Sequence, residues 1–420
     1  MLHIDDIAQA GIVGCGGGGF PLHLKLENDI ETLIINAVEC EPGLWTDKYI
    51  AGYDSRPVLN AIAFIKTIKK PKRILLVFKE KYSDNFSILI NEGKKLGIEP
   101  VAVRDYYPSG DELILIFDAL GLRIDAGKIP KDYCLLVSNL ETLWHLGRAL
   151  KGKALIGKYL TVHIPKHKPY IIYAPIGTLY EDILKSLGIN KSDDEYLIEN
   201  GLMMGSQVNT SSSLKPTIKA LFLTKPTKVL KESLRFSFEM QKRRNLTACI
   251  QCSRCTDLCS RSLIGHYIKP HRIMRGLLNN DDRAIDFGLF LCSECGLCEL
   301  FACPMGIQPR GIIRGLKAML MDKRSIPEGL AKTSFRDYRL VPSRVIYDRL
   351  KINSSKPMDK PVVVKPKRVS FDIPTGSSLL VKNGDRVDEG QAIIRQGNGV
   401  YINASIKGKI MLEEVLRIEG

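Results

Sequence analysis

Eight of the eleven cysteines lie between Cys249 and Cys303, in two dense runs. Cys249, Cys252, Cys255 and Cys259 form C-x2-C-x2-C-x3-C, and Cys292, Cys295, Cys298 and Cys303 form C-x2-C-x2-C-x4-C, followed by Pro304. Such spacing lets one loop wrap three iron corners of a [4Fe–4S] cube, while a more distant cysteine closes it. In two-cluster ferredoxin-like proteins that fourth ligand is exchanged between runs. This assigns Cys249, Cys252, Cys255 and Cys303 to one cluster, and Cys292, Cys295, Cys298 and Cys259 to the other. Zinc takes four ligands, typically as two pairs, so triple runs carry more thiolate than it uses. Ser260 stands where a proline often follows the fourth cysteine, and the x4 spacing before Cys303 departs from x3. Both bear on loop geometry rather than on the ligands.

A second candidate site opens the chain, where residues 11–21 read GIVGCGGGGFP. Consecutive amides with no side chains in the way can cradle an anion. The loop departs from the dinucleotide-binding layout, because it precedes the first clear strand instead of following one. Cys40 and Cys134, outside both sites, read as core residues.

These sites need elements to hold them. Residues 32–37, 73–78, 99–103 and 133–138 are short apolar runs with β-branched residues, and 57–69 and 82–96 carry helical spacing. Repeated βα units predict a layered, largely parallel sheet. Residues 155–223 read as a smaller mixed unit and 225–241 as a polar connection. The cysteine region is predicted to be helical: the 32 residues between Cys259 and Cys292 carry helical spacing around IMRGLL (273–278), and GIIRGLKAMLM (311–321) closes it. Residues 353–368 read as a Pro/Lys-rich linker, and 370–420, with NGD, DEG and GNG turns, as a small all-β module. The expected division is 1–152, 153–226, 240–325, a linker over 326–368, and 369–420. No repeat array or low-complexity block is evident.

With 420 residues, 45% hydrophobic and 25% charged, the chain is long enough for two to four domains with real cores. No apolar run approaches the ~18 residues of a membrane span, and the acidic start MLHIDDIAQAG lacks the features of a secretory leader. A cytoplasmic, reducing setting is expected, since the dense cysteines read as metal ligands rather than disulfides. The net charge of +15 first suggests nucleic acid or a membrane surface. No helix-turn-helix, RNA-binding signature or polybasic tail supports that, and no nucleic-acid partner is expected. Many bases instead lie near the cysteines: Lys242, Arg243, Arg244, Arg254, Arg261, Lys269, Arg272 and Arg275. Anionic cofactors account for them better.

Gly14, Gly16, Gly17, Gly19, Phe20 and Pro21 resemble the G-x-G-G-x-G-F-P loop of a flavoprotein family. That family includes the NADH-oxidising subunit of respiratory complex I, the C subunit of the Rnf electron-transport complex, PduS-type cobalamin reductases and the proline-reductase-associated protein PrdC. NAVECEPG (36–43), YPSGDE (107–112) and SNLETL (138–143) are similar to further family segments in the same order, as are APIGTLYEDILKSLG (174–188) and LMMG (202–205). The resemblance implies a multidomain α/β protein: a Rossmann-like flavin/nucleotide domain, a β-grasp (SLBB-like) domain, a helical two-[4Fe–4S] ferredoxin domain and a C-terminal barrel-sandwich module. It implies FMN on the glycine loop, with NADH stacked on it. Gly16, Gly17 and Gly19 would approach the flavin and its phosphate, Lys25 would neutralise that phosphate, and Asn36 would bond the ring system. Glu39 and Glu41 would line the nicotinamide site, with Glu112, Asn139 and Thr142 completing the wall. Lys25 and Glu112 also read as surface charges, and Asn139 as a helix N-cap.

The resemblance further implies an NADH-oxidising iron–sulfur flavoprotein that feeds a partner reductase. Domain order, with the small β module last, is similar to PduS and PrdC; no lysine occupies the DRVDEG turn (385–390), which argues against a lipoyl-like carrier role. Because PrdC-type members can carry Cys or selenocysteine in the loop, Cys15 reads as a redox thiol, and the acceptor as a proline reductase. The other reading of Cys15 is a small side chain at a tight turn. A corrinoid protein as acceptor, or a non-enzymatic ferredoxin-like adaptor, are the alternative functions.

Overall fold

The apolar runs of the first 150 residues are buried on both faces except in the edge run Ile98–Val103, as parallel strands flanked by helices are. In the computed structural model, which describes residues 3–276, 283–327, 335–358 and 360–420, they form a four-stranded parallel sheet. Its order is Ile98–Val103, Arg73–Lys79, Thr32–Asn36, Leu135–Asn139. Leu33, Ile34 and Ile35 of the central strand are fully buried. Strand Thr32–Asn36 and the edge strand Leu135–Asn139 end together, with Asn36 in register with Asn139. Open α/β sheets bind ligands in the crevice beyond the carboxyl ends of their strands, and these two asparagines stand there. Helices Arg56–Lys69 and Leu140–Ala149 cross so closely that a Cβ on Gly147 would lie 1.8 Å from the Pro57 carbonyl oxygen.

A second, six-stranded mixed sheet follows, in the order Val362–Val363, Tyr170–Pro175, Gly157–His163, Ala220–Thr224, Tyr196–Glu199, Ser206–Val208. Helix Tyr180–Ser186 packs on it through Tyr180, Ile183 and Leu184. The stretch read as a polar connection is helical instead, as Lys228–Leu234 and the start of Phe238–Ala248. It buries polar and apolar side chains together: Ser233 and Gln241 face inward alongside Leu230.

The cysteine region is built from short helices, closed by Pro309–Met319. Helix Pro270–Gly276 covers the first part of IMRGLL; residues 277 and 278 lie outside the described residues. The expected linker is not a free tether where it is described. Val341–Pro342 pairs antiparallel with Tyr106–Tyr107, helix Ser343–Leu350 follows, and Val362–Val363 adds a parallel edge strand to the second sheet. Pro and Lys obscured these elements because each is short and tied down by other segments: Tyr347 accepts the Gly43 amide at 2.8 Å. Residues 328–334 and 359 of that stretch lie outside the described residues.

The C-terminal residues form a four-stranded and a three-stranded sheet. They do not stand apart. Val369, Phe371, Ile393, Val400 and Ile418 share one apolar core with Ile7, Ile12 and Leu22 around the glycine loop. Asn403 donates to the Gln9 carbonyl, and a Cβ on Gly11 would lie 2.5 Å from the Tyr401 oxygen. No described helix is long and apolar enough to cross a membrane.

Candidate functional site

The glycine loop is a closed hairpin with an open tip. Gly14 donates to the Phe20 carbonyl at 2.9 Å and Gly19 to Gly14 at 3.1 Å, while Val13 and Pro21 bridge its base. Between them Gly16, Gly17 and Gly18 are exposed, and among the described residues their amides find no acceptor. Gly17 has φ 103°, where a side chain would be strained, and a Cβ on Gly17 or Gly18 would meet nothing within 4 Å. The tip thus offers bare amides to a ligand, which is the cradle an anionic phosphate and a flat ring require. Gly16 lies against the Asn139 side chain, and Gly19 faces Thr217 from the second sheet's unit.

Cys15 points the other way. It is fully buried, its amide donates to Thr142 Oγ1 at 2.9 Å and its thiol to the Val13 carbonyl. Burial, and then the nearby Glu141 charge, push the thiol up to about 12, so it stays protonated. The reactive form of cysteine is the thiolate. In this geometry Cys15 is a protonated side chain packed beneath the turn.

The remaining predicted residues gather around the strand ends. Asn36 donates to the Gly110 carbonyl and accepts from the Val38 amide. Asn139 caps helix Leu140–Ala149 through the Glu141 amide and also donates to Asp47 at 2.7 Å and to the Asn36 carbonyl. Lys25 donates to the Val137 carbonyl and lies 3.8 Å from Glu112, both only partly shielded. Glu39, at φ 44°, turns its carboxylate inward, where it meets Lys48 Nζ at 2.5 Å and the Asp47 amide at 2.8 Å. Burial works against its charge, but Lys48 and Lys219 overcome that and hold its carboxyl below the usual range. Glu41 instead meets the Met203 amide at 2.6 Å, and burial pushes its carboxyl up to about 8.

Beneath these residues runs a buried ionic network that motif reading misses. Lys219 reaches Asp47 at 2.7 Å and Glu141 at 3.8 Å, and Lys158 reaches Glu141 at 3.0 Å. Both lysines come from the second sheet's unit, so they brace the first unit from across the junction. Burial raises Asp47 to about 6, against the pull of Lys219 and with the push of Glu39 and Glu141. Cys15, Glu141 and His145 bring potential ligand atoms within 4.8 Å of one another, but the adjacent ammonium groups of Lys158 and Lys219 oppose a cation there. Glu141 lies inside a predicted motif; Lys158 and Lys219 carry no local signal at all.

Cysteines of the two runs meet one another across this region. Cys249, Cys252, Cys255 and Cys303 line one cavity. Burial raises the Cys255 thiol to about 12, with Cys303, Cys249 and Cys252 the next contributors. Cys259 is raised by burial and then by Cys295 and Cys292, and Cys298 by burial, Cys292 and Cys295. Among the described residues no three of these sulfurs approach within 4.8 Å of one another. Zinc–sulfur bonds of about 2.3 Å put zinc's ligand sulfurs about 3.8 Å apart. That is not the spacing of a single zinc site. The two loops also repeat one backbone. Gln251 and Ser253 have φ 53° and 60°, and Glu294 and Gly296, at the same offsets from Cys292, have φ 59° and 79°. Donors face the sulfurs, from Gln251 Nε2 to Cys249 at 3.1 Å and from the Glu294 amide to Cys292 at 3.3 Å. Such outer contacts tune a metal centre.

The two sets differ in their surroundings. Tyr107 Oη donates to the Cys295 carbonyl at 2.5 Å, Arg261 pairs with Asp111 at 2.8 Å, and Cys40, between Glu39 and Glu41, packs in one apolar cluster with Cys295. The set holding Cys295 therefore abuts the strand-end segments. Cys255 interacts with Cys298 of that set, while Cys252 is exposed.

Fold and site together define an oxidoreductase with a flavin loop and a pair of cuboidal iron–sulfur centres. Residues 7–148 match the family model of the Nuo51 FMN-binding domain, and residues 248–308 that of a 4Fe-4S dicluster domain. The chain is 31% identical over 432 residues to the cobalamin reductase PduS of Salmonella typhimurium, covering 97% of this chain and 93% of that protein. PduS of Citrobacter freundii is 30% identical, at 96% and 93% coverage. The RnfC-type component of the ion-translocating oxidoreductase complex of Vibrio cholerae is 30% identical over 275 residues, 64% of this chain and 34% of that one. A solved NAD+-reducing [NiFe]-hydrogenase superposes with a TM-score of 0.50 at 16% identity, over 84% of this chain and 68% of its own, a likeness of fold. The chain belongs to the RnfC/PduS-like family of iron–sulfur flavoproteins. It is an NADH-dependent oxidoreductase whose cofactors are FMN and two [4Fe–4S] clusters, which sets aside the adaptor reading.

Proposed function

We propose that the chain takes electrons from NADH at the glycine loop and delivers them singly to a corrinoid acceptor. FMN accepts hydride as an electron pair and releases electrons one at a time, and iron–sulfur clusters carry single electrons. The amides of Gly16, Gly17 and Gly18, with Gly14 and Gly19 shaping the loop, would hold the flavin phosphate, and Lys25 would offset its charge. Asn36, Asn139 and Thr142 would fix the wall of the site, and Glu41 and Glu112 its nucleotide side. Glu39, paired with Lys48, would act by positioning the segment.

The contact of Tyr107 with the Cys295 carbonyl carries the electron route. It supports passage first to the Cys259, Cys292, Cys295 and Cys298 set and then to the Cys249, Cys252, Cys255 and Cys303 set. The acceptor follows from the PduS likeness along nearly the whole chain. None of these relatives points to a proline reductase, and the buried thiol of Cys15 lends no support to one. Thiolate ligands are kept reduced in a cytoplasmic setting.

The division into 1–152, 153–226, 240–325 and 369–420 goes with this reading. The six-stranded sheet with its helix supports an SLBB-like β-grasp unit, and the paired small sheets a barrel-sandwich module. Anaerobic titration tests the function. NADH should bleach the flavin band, after which hydroxocobalamin loaded on a corrinoid carrier protein should re-oxidise the protein. Bleaching without re-oxidation by the corrinoid would reject the acceptor and keep the flavin site.

A further inference from the structure

The cavity bounded by Cys249, Cys252, Cys255 and Cys303 opens on a distinctive surface. Cys252 is exposed at its lip, flanked by Ile250 at 63% and Met305 at 37% exposure. Met240 and Leu246, on the helix leading into the first cysteine loop, are also exposed. Single exposed apolar residues are ordinary. Here several adjoin one cluster site.

The sequence around this lip is predominantly basic. Residues 240–276 contain eight Lys/Arg and a single acid, Asp257. Asp257 is paired with Arg339, Arg261 is turned inward to Asp111, and Arg244 lies 3.7 Å from Glu232. Arg243 and Arg254 are exposed and have no carboxylate partner among the described residues. An apolar centre with a charged rim is the anatomy of a transient protein interface, and a field of one sign steers a partner of the other.

We infer that the lip around Cys252, with Ile250, Met305, Arg243 and Arg254, is the docking surface of the electron acceptor, and that this acceptor is a protein with an acidic face around its redox centre. The inference rests on the proposed electron route, which leaves the molecule at this set. A free small molecule would need a concave pocket burying most of its surface, whereas this lip is open and its cavity is lined by the cysteines themselves. A corrinoid would reach it on a carrier protein. Each encounter moves one electron, supplied by NADH, onto the acceptor's oxidised centre, with no bond made and no proton exchanged.

The test uses the anaerobic holoprotein with two one-electron probes, soluble cytochrome b5 with its acidic haem edge and cytochrome c with its basic one. After reduction by NADH, cytochrome b5 should be reduced at a rate that falls about tenfold between roughly 0.02 and 0.2 M salt. The double variant Arg243→Glu, Arg254→Glu should slow cytochrome b5 about tenfold and speed cytochrome c. It should also abolish the line broadening that the oxidised wild type induces in the nuclear magnetic resonance spectrum of cytochrome b5. Flavin bleaching and both cluster signals should be unchanged. Salt-independent rates that are equal for both probes and unaltered in the variant would overturn the inference. So would fast reduction of free hydroxocobalamin by wild type and variant alike, with cytochrome b5 inert. Dithionite in place of NADH runs the same comparison, so that failure of the flavin reading stays distinguishable.

Discussion

Gly17 and Gly18 are neighbours at the loop tip, yet only Gly17 needs a left-handed backbone, and a Cβ on either meets open space. Gly18→Asp should therefore fold without strain while placing a carboxylate where phosphate binds. FMN content, read after acid release, should fall below about a tenth of wild type, with the cluster absorbance retained. At the base of the loop, Cys15→Ser should keep FMN, both clusters and NADH bleaching, because a hydroxyl can donate to Val13 as the thiol does. Loss of acceptor reduction alone would support the redox role. Glu41 gives a pH test. Its folded value of about 8 lies above the ordinary 4.5, so between these values the folded state holds a proton that the unfolded state has released. Stability then falls as pH rises through that window. Glu41→Gln removes the titration, and relative to it the wild type should lose about 3–4 kcal/mol between pH 5 and pH 8 in denaturant unfolding.

At the scale of elements, the two cysteine loops share one backbone, and the proposed ligand sets exchange their last members. Cys255→Ala and Cys303→Ala, 48 positions apart, should therefore abolish the same cluster signal, and Cys259→Ala the other. Electron paramagnetic resonance of the reduced variants decides it; Cys303→Ala sparing the signal lost in Cys255→Ala would reject the exchange. The junction between the two larger sheets depends on Lys219. Lys219→Met leaves Asp47 and Glu141 buried without that partner, and breaking such a pair costs about 3–5 kcal/mol. A lowered thermal midpoint, with faster FMN loss on dilution and partial rescue by Lys219→Arg, is the expected outcome. A variant as stable as wild type would show that Lys158 suffices.

For the whole molecule, the C-terminal sheets matter to a loop almost 400 residues away in sequence. They bury Val369, Phe371, Val400 and Ile418 in the core that contains Ile12 and Leu22. Deleting residues 369–420 exposes that face, so the truncated chain should aggregate or lose FMN rather than behave as a trimmed enzyme. Solubility and flavin content of the truncated protein check this. Retention of both would show that the loop holds its shape without the tail.

The cysteine runs, the glycine loop and the four parallel strands were legible because each is a local pattern: ligand spacing, bare backbone, or an apolar run. Asn36 and Asn139 were legible as motif members, but their adjacency at the strand ends is a matter of register. The sequence by itself therefore determined the chemistry, namely iron–sulfur centres and a flavin loop, and the class of fold that carries them. Only the tertiary structure decided which way Cys15 faces, because the two faces of a glycine turn are equivalent until a core forms on one of them. It also decided that Lys158 and Lys219 brace the site, since a buried ion pair between separate units leaves no periodic trace in either. The strands at 341–342 and 362–363 escaped for a related reason: a two-residue strand has no period of its own and exists only where a neighbour's edge accepts it.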